Sequence, residues 1–422
     1  MINLKLFTAL QGDNTASLLL QPSTPGKVTY YLMSSNVNYD IVATGICDGE
    51  LPNDNPKVFD VTLSSISPLI DRNHEFKFVY KQGVLKLVEL YNKFAIEPQC
   101  IEKISDVTNR VLAKYIEFNK AYVELKSMQS RFDELQTELK YIRANLENLS
   151  NPDSGWVNSS NPFPVDDKEE EKNTLRLRLE EREQEYKRVS TILEKIREVD
   201  MTPLRRISNS AARLDAIIEM HGPYAVHSLP SGYAFEKCEC TPRAVPGKLL
   251  QRLVRDKNGK FYETGSDLVF VSTVSKEKTD ERCTTYVFFE PSMPRFSVDA
   301  TLITKGTVTE QYTLNIKGMM DVVTPILPKF ENMVWDMGAS KLILSNDRGE
   351  SFSYKFELED VKSLELNKLL RGETTGTVTM ATVEVPRDIQ RIISDMREDF
   401  TIYIKANKIV LKSGTYYVVF GR

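Results

Sequence analysis

The sequence is poor in the residues on which catalysis and cross-linking depend. Its 422 residues include only three histidines and five cysteines. A zinc scaffold or a disulfide framework over that length needs more of both. Cys47, Cys100, Cys238, Cys240 and Cys283 are odd in number and scattered, which fits a reducing compartment. Cys238-Glu239-Cys240 has the wrong spacing for a metal knuckle and reads as two thiols on one face of a strand. No run approaches the ~18 apolar residues of a membrane span. Met1 to Leu10 lacks the basic and apolar regions of a signal peptide. A cytoplasmic protein without membrane partners is expected.

No sign of charge dominates either. Lys plus Arg is 55 and Asp plus Glu is 59, a net charge of -4. That excludes a histone-like protein, a polyacidic tail and a wholly disordered chain. It leaves room for a local basic surface, because net charge says nothing of distribution. Catalytic signatures are missing as well. There is no Gly-rich phosphate loop, no Gly-x-Ser-x-Gly elbow and no His-Glu-x-x-His. His221 and His227 flank Gly222-Pro223 and read as loop residues. The expectation is a protein that is not an enzyme, with no catalytic residues, no metal and no cofactor.

What is present is architecture. At about 100–200 residues per domain the length predicts two to four domains. Residues 99–220 are helical and highly charged. Val111, Tyr115, Phe118, Tyr122, Leu125, Phe132, Leu135, Leu139, Ile142 and Leu146 recur at spacings of three and four. They predict a long helix with a coiled-coil seam. It stops before Pro152, and a polar loop follows from Ser154 to Pro164. Trp156 and Phe163 in that loop are candidate partner anchors. Leu175, Leu179, Tyr186, Val189, Leu193, Ile196 and Val199 predict a second helix, folded back as an antiparallel hairpin. A third helix is expected from Leu204 to Met220, ended by Gly222-Pro223.

The flanking blocks carry a repeated order of strand, short helix and hairpin strands. At the C-terminus it runs Thr377–Val385, a helix from Arg387 to Met396, Phe400–Lys405, Lys408–Lys412 and Thr415–Phe420. Pro386 suits the helix start. The same order begins at Gln311, with a helix from Gly318 to Phe330, and at Tyr233, with a helix from Pro246 to Arg255. A further copy begins at Lys57 and closes with a hairpin across Lys81-Gln82-Gly83. Four such copies predict an α+β protein of two like domains, each a short-helix layer on an antiparallel sheet.

In Val58-Phe59-Asp60-Val61-Thr62-Leu63, Phe76-Lys77-Phe78-Val79, Thr382-Val383-Glu384-Val385-Pro386 and Ile402-Tyr403-Ile404, with their helices, the chain resembles the DNA sliding clamps. The resemblance is to the two-domain type, which includes proliferating cell nuclear antigen and the phage processivity clamps. It divides the chain into 1–97 and 223–295 as the two parts of a first clamp-like domain, 98–222 as a coiled-coil insertion, and 296–422 as a second clamp-like domain. It implies a ring, trimeric in that type, whose helices face double-stranded DNA without reading sequence. A DNA polymerase or another replication or transcription protein is the implied partner, and a viral or phage setting is expected. Phosphate contacts need Lys and Arg on exposed helix faces. The sequence offers Lys248, Arg252 and Arg255, followed by Lys257, then Arg387 and Arg391, with single candidates Lys329 and Arg72. Arg205, Arg206 and Arg213 form a further cluster. The alternative is a structural assembly scaffold that oligomerises through its coiled-coil hairpin.

Overall fold

The structure is a computed structural model. It describes residues 15–35, 38–49, 51, 55–63, 65, 76–89, 95–103, 109–150, 165–239, 241–265, 267–275, 282–292, 301–316, 318–363, 371, 380–393, 396 and 400–422. The chain is α+β and divides into two compact units. One comprises 1–103, 200–261 and 266–422, and the other 104–199 and 262–265.

In the larger unit, alternating apolar residues build largely antiparallel sheets. One sheet runs in the order Cys100–Lys103, Lys57–Thr62, Thr15–Pro22, Lys27–Ser35, Tyr39–Gly49, Arg282–Phe289, Asp267–Ser275 and Gly259–Thr264. Its seam at Val42 opposite Tyr286 joins the first block of sequence to the third. A second sheet runs Arg243–Pro246, Ile217–His221, Tyr224–Leu229, Gly232–Lys237, Tyr416–Gly421, Lys408–Ser413, Phe400–Lys405, Val308–Asn315 and Glu357–Ser363. A third is Ser351–Lys355, Lys341–Ser345, Asn332–Asp336 and Thr382–Val385. Residues 223–295 thus divide between two sheets. The predicted hairpin after Lys81 is there. Gln82 and Gly83 take φ of 52° and 78°, the paired left-handed conformations of a tight type I′ turn.

The smaller unit holds two long helices, α1 (Asn109–Ser150) and α2 (Val165–Leu193). Leu135 and Ile142 of α1 are buried, and Phe132 stacks on Tyr186 of α2 with ring centroids 5.0 Å apart. Arg131 pairs with Glu185, Arg182 with Glu138 and Arg143 with Glu183, each at 2.8 Å. From the Arg131–Glu185 pair to the Glu138–Arg182 pair the number rises on α1 and falls on α2, as in antiparallel helices. The Arg131 guanidinium holds the Glu185 carboxyl below the usual carboxylate range. Helix α2 ends earlier than its periodicity predicts: Arg197–Val199 is a strand, and Arg197 reaches Glu263 at 2.7 Å.

The helical stretch is also shorter than 98–222. The predicted helix from Leu204 to Met220 is instead α3 (Arg205–Arg213) and then the strand Ile217–His221, both in the larger unit. Asp215 takes a left-handed φ of 54°. The Ala216 and Asp215 amides donate back to the carbonyls of Ala211 and Ala212. This is a Schellman cap with aspartate where glycine is usual. Among the described residues the remaining α-helices are α4 (Gly247–Arg255), the single turn α5 (Thr301–Thr304), α6 (Met319–Ile326) and α7 (Arg387–Gln390). Helix α7 is shorter than the predicted Arg387–Met396, yet Ile389, Ile392, Ile393 and Met396 are all buried.

Two further expectations change. The strand from Gly232 ends at Lys237, so Cys238 lies beyond it, and Cys240 is outside the described residues. His221 and His227 are strand residues, not loop residues. His227 is buried on the sheet face beneath α3, with Nε2 2.7 Å from the Ser210 hydroxyl and Nδ1 3.1 Å from the Ser228 carbonyl. On the opposite face Val226, Phe235, Val410 and Val419 pack with Ile303 of α5. The buried Lys405 ammonium donates to the carbonyls of Ile303, Thr304 and Lys305 and closes that turn.

Candidate nucleic-acid interface

Helix α4 buries Leu249, Leu250 and Leu253 and turns Lys248, Arg252 and Arg255 outward. Burying each leucine stabilises the helix by roughly 1.5–3 kcal/mol, which fixes which face the cations occupy. The helix crosses α3 closely. A Cβ on Gly247 would stand 2.6 Å from Cβ of Ala211, so only glycine fits the crossing. Polar contacts set the pair in register. Gln251 Nε2 and Arg255 Nη2 both donate to Asn209 Oδ1, at 3.0 and 2.7 Å. Lys248 Nζ lies 2.9 Å from Asp215 Oδ1 at the α3 cap, and both groups are exposed. Lys257 is exposed in the turn after α4. Asp256 orders that turn by accepting from the Asn258 amide and the Ser272 hydroxyl.

The row continues to α7. Arg213 at the end of α3 donates to the Arg391 carbonyl at 2.8 Å, across 178 residues of sequence. Asp388 of α7 is committed elsewhere, accepting from the Ser231 amide at 3.0 Å and its hydroxyl at 2.8 Å. Gln390 is buried and donates to the carbonyls of Val385 and Glu331. Arg387 and Arg391 remain exposed.

The predicted cations therefore fall into three groups. Lys248, Arg252 and Arg255 share the outer face of α4. Arg387 begins α7, but Arg391 lies in the turn beyond it, not on a longer helix. Lys329 is exposed in the 3-10 turn Leu327–Lys329 that extends α6. Helix α6 carries no basic residue, and its exposed positions include Val322, Thr324 and Pro325. Arg72, Trp156 and Phe163 lie outside the described residues. Arg206 is turned inward, donating to the Ser413 carbonyl, the Thr415 hydroxyl and the fully buried Glu236. Arg213, by contrast, is exposed at the end of α3 beside Arg391.

Where α3, α6 and α7 meet, a cavity of about 410 Å³ opens. Arg213, Arg387 and Arg391 line one side, and Leu327, Pro328 and Phe330 the other. Among the described residues no group of three or more His, Cys, Asp or Glu is placed to hold a metal ion. No described helix is long and apolar enough to cross a membrane.

No protein-family model matches the sequence, and no curated protein does. Solved structures do match, along the whole chain. The DNA polymerase sliding clamp of Pseudomonas aeruginosa is 8% identical, with 100% of this chain and 96% of that chain covered at a TM-score of 0.50. The DNA polymerase III subunit beta of Borrelia burgdorferi is 9% identical, with 99% of this chain and 95% of that chain covered at a TM-score of 0.52. The chain therefore has the fold of the DNA polymerase sliding clamps, at a sequence identity that carries fold alone.

Proposed function

We propose that this protein is a sliding-clamp-like processivity factor. It tethers a DNA polymerase, or another protein that tracks along DNA, to the duplex in the cytoplasm, and it performs no catalysis. The observation that carries this reading is the set of exposed lysines and arginines on α4, α3 and α7, in a fold shared end to end with the clamps. Cations on exposed helix faces neutralise phosphates without reading bases, as a protein that must slide requires.

The repeat supports a ring of fewer copies than three. Among the described residues the order strand, helix and following strands starts at Arg197, Arg243, Val308 and Thr382, and the sequence pattern places a further copy at Lys57. The strands Thr15–Pro22, Lys27–Ser35 and Tyr39–Gly49 take the place of a further copy. Counted in this way, six units per chain pair into three domains. In the two-domain type, three chains of four units close the ring. Two chains of six reach the same total, so we propose a homodimer.

Titrating duplex DNA binding against salt tests the reading. Affinity should fall linearly in log–log form. Replacing Lys248 and Arg391 by glutamate should weaken binding to every duplex and make the salt slope shallower by about two. Wild-type binding by the double variant contradicts the assignment of this face.

A further inference from the structure

The cavity between α3, α6 and α7 has a composition that smooth duplex tracking does not call for. Its two walls differ in kind. Arg213 and Arg391 are tied together through the Arg391 carbonyl, and Arg387 stands one turn away on α7. Among the described residues, neither Arg387 nor Arg391 has an ion-pair partner. The nearest acid of α7, Asp388, is held by Ser231. The opposite wall is apolar: Leu327, Pro328 and the partly buried Phe330, approached from α6 by Thr324. Flat phosphate tracking needs cations alone. A concave site with cations on one side and an aromatic ring on the other matches a ligand that is anionic at one end and flat and apolar at the other. Its volume of about 410 Å³ lies in the range of small-ligand pockets, about 300–1,000 Å³.

We propose that this cavity binds one unpaired nucleotide, with its phosphate on Arg213, Arg387 and Arg391 and its base against Phe330 and Pro328. Stacking of bases on aromatic side chains tolerates any sequence, because every base has a π-face. The inference rests on the proposal that DNA runs over this row of helices. It adds that the protein distinguishes duplex from duplex interrupted by single-stranded DNA. The same chemistry is met by a free nucleotide, and the test separates the two sources.

The test uses the full-length chain and three fluorescent probes: a blunt duplex, a duplex of the same length with a short single-stranded gap, and free adenosine monophosphate. The gapped duplex should bind about tenfold more tightly than the blunt one, the scale of one stacked base. Phe330→Ala should abolish that preference and leave blunt-duplex binding unchanged. Because Phe330 is partly buried, Thr324→Trp serves as a second variant. It fills the cavity from an exposed position and should have the same effect. Saturable binding of adenosine monophosphate, lost in both variants, would support the site with a free nucleotide as its ligand. Equal affinity for both duplexes with no binding of the free nucleotide overturns the proposal. So does a gap preference that survives both variants, or an acidic aromatic peptide that binds the cavity where neither nucleotide probe does. Failure of the duplex-tracking reading looks different: the blunt duplex then binds without regard to Lys248→Glu and Arg391→Glu.

Discussion

At position 227 a histidine occupies a place where the sheet has no room for a charge. Burial lowers its pKa to about 4, and the Ser228 carbonyl only partly opposes that. The unfolded chain protonates this residue near its ordinary value, about 6.5. Stability from neutral His227 is therefore fully present above that value and is lost as pH falls toward 4. The loss is about 3 kcal/mol. Glu236 has the opposite sign, since burial raises its carboxyl despite Thr415 and Arg206. Comparing wild type with His227→Gln isolates the histidine. Urea unfolding between pH 7 and pH 4 should show wild type losing about 3 kcal/mol more than the variant. Parallel pH profiles would show that His227 is not buried neutral. In the sequence His227 reads as a loop residue because Gly222-Pro223 dominates the local pattern. The Ser210 contact that explains its burial comes from α3, an element the sequence pattern did not delimit.

Among the elements, what was legible depended on whether local pattern decided the outcome. The leucines of α4 sit at helical spacing against three cations, and the structure buries the first set and exposes the second. The apolar spacing of α1 is also matched by burial, at Val111, Tyr115, Phe118, Leu125, Leu135, Leu139 and Ile142. Helix α3 was not separable from the strand after it. Ala211, Leu214, Ile217 and Ile218 continue the helical period, while the break depends on a left-handed Asp215, which has no signature as strong as glycine. Nor does sequence spacing show how α3 meets α4. Gly247 reads as an ordinary helix start, yet it is the contact that lets the two helices cross. Gly247→Ala should destabilise the fold by about 1–3 kcal/mol, the cost of overpacking a close crossing. Chemical denaturation measures this. An unchanged midpoint would mean that the helices have slack to separate.

For the whole molecule, the α+β class and the clamp resemblance were legible because repetition amplifies a weak local pattern. Short helices such as α3 and strands as short as Arg197–Val199 were not, since they fall below the length that periodicity resolves. The arginine cavity was illegible for a different reason. Its walls come from Arg213, the stretch after α6, and α7, and only folding brings them together. The long helices α1 and α2 allow a test between ring and scaffold. Residues 200–222 belong to the larger unit, so an informative deletion must spare them. Replacing Asn109 to Leu193 by a short flexible linker should leave the oligomer intact, as sedimentation would show. Collapse to monomer would instead support assembly through the helical hairpin. The most direct test of the clamp assignment is an image of single particles of the intact protein. A closed ring with a central hole wide enough for a DNA duplex is the predicted result, and a compact or filamentous particle without that hole would contradict it.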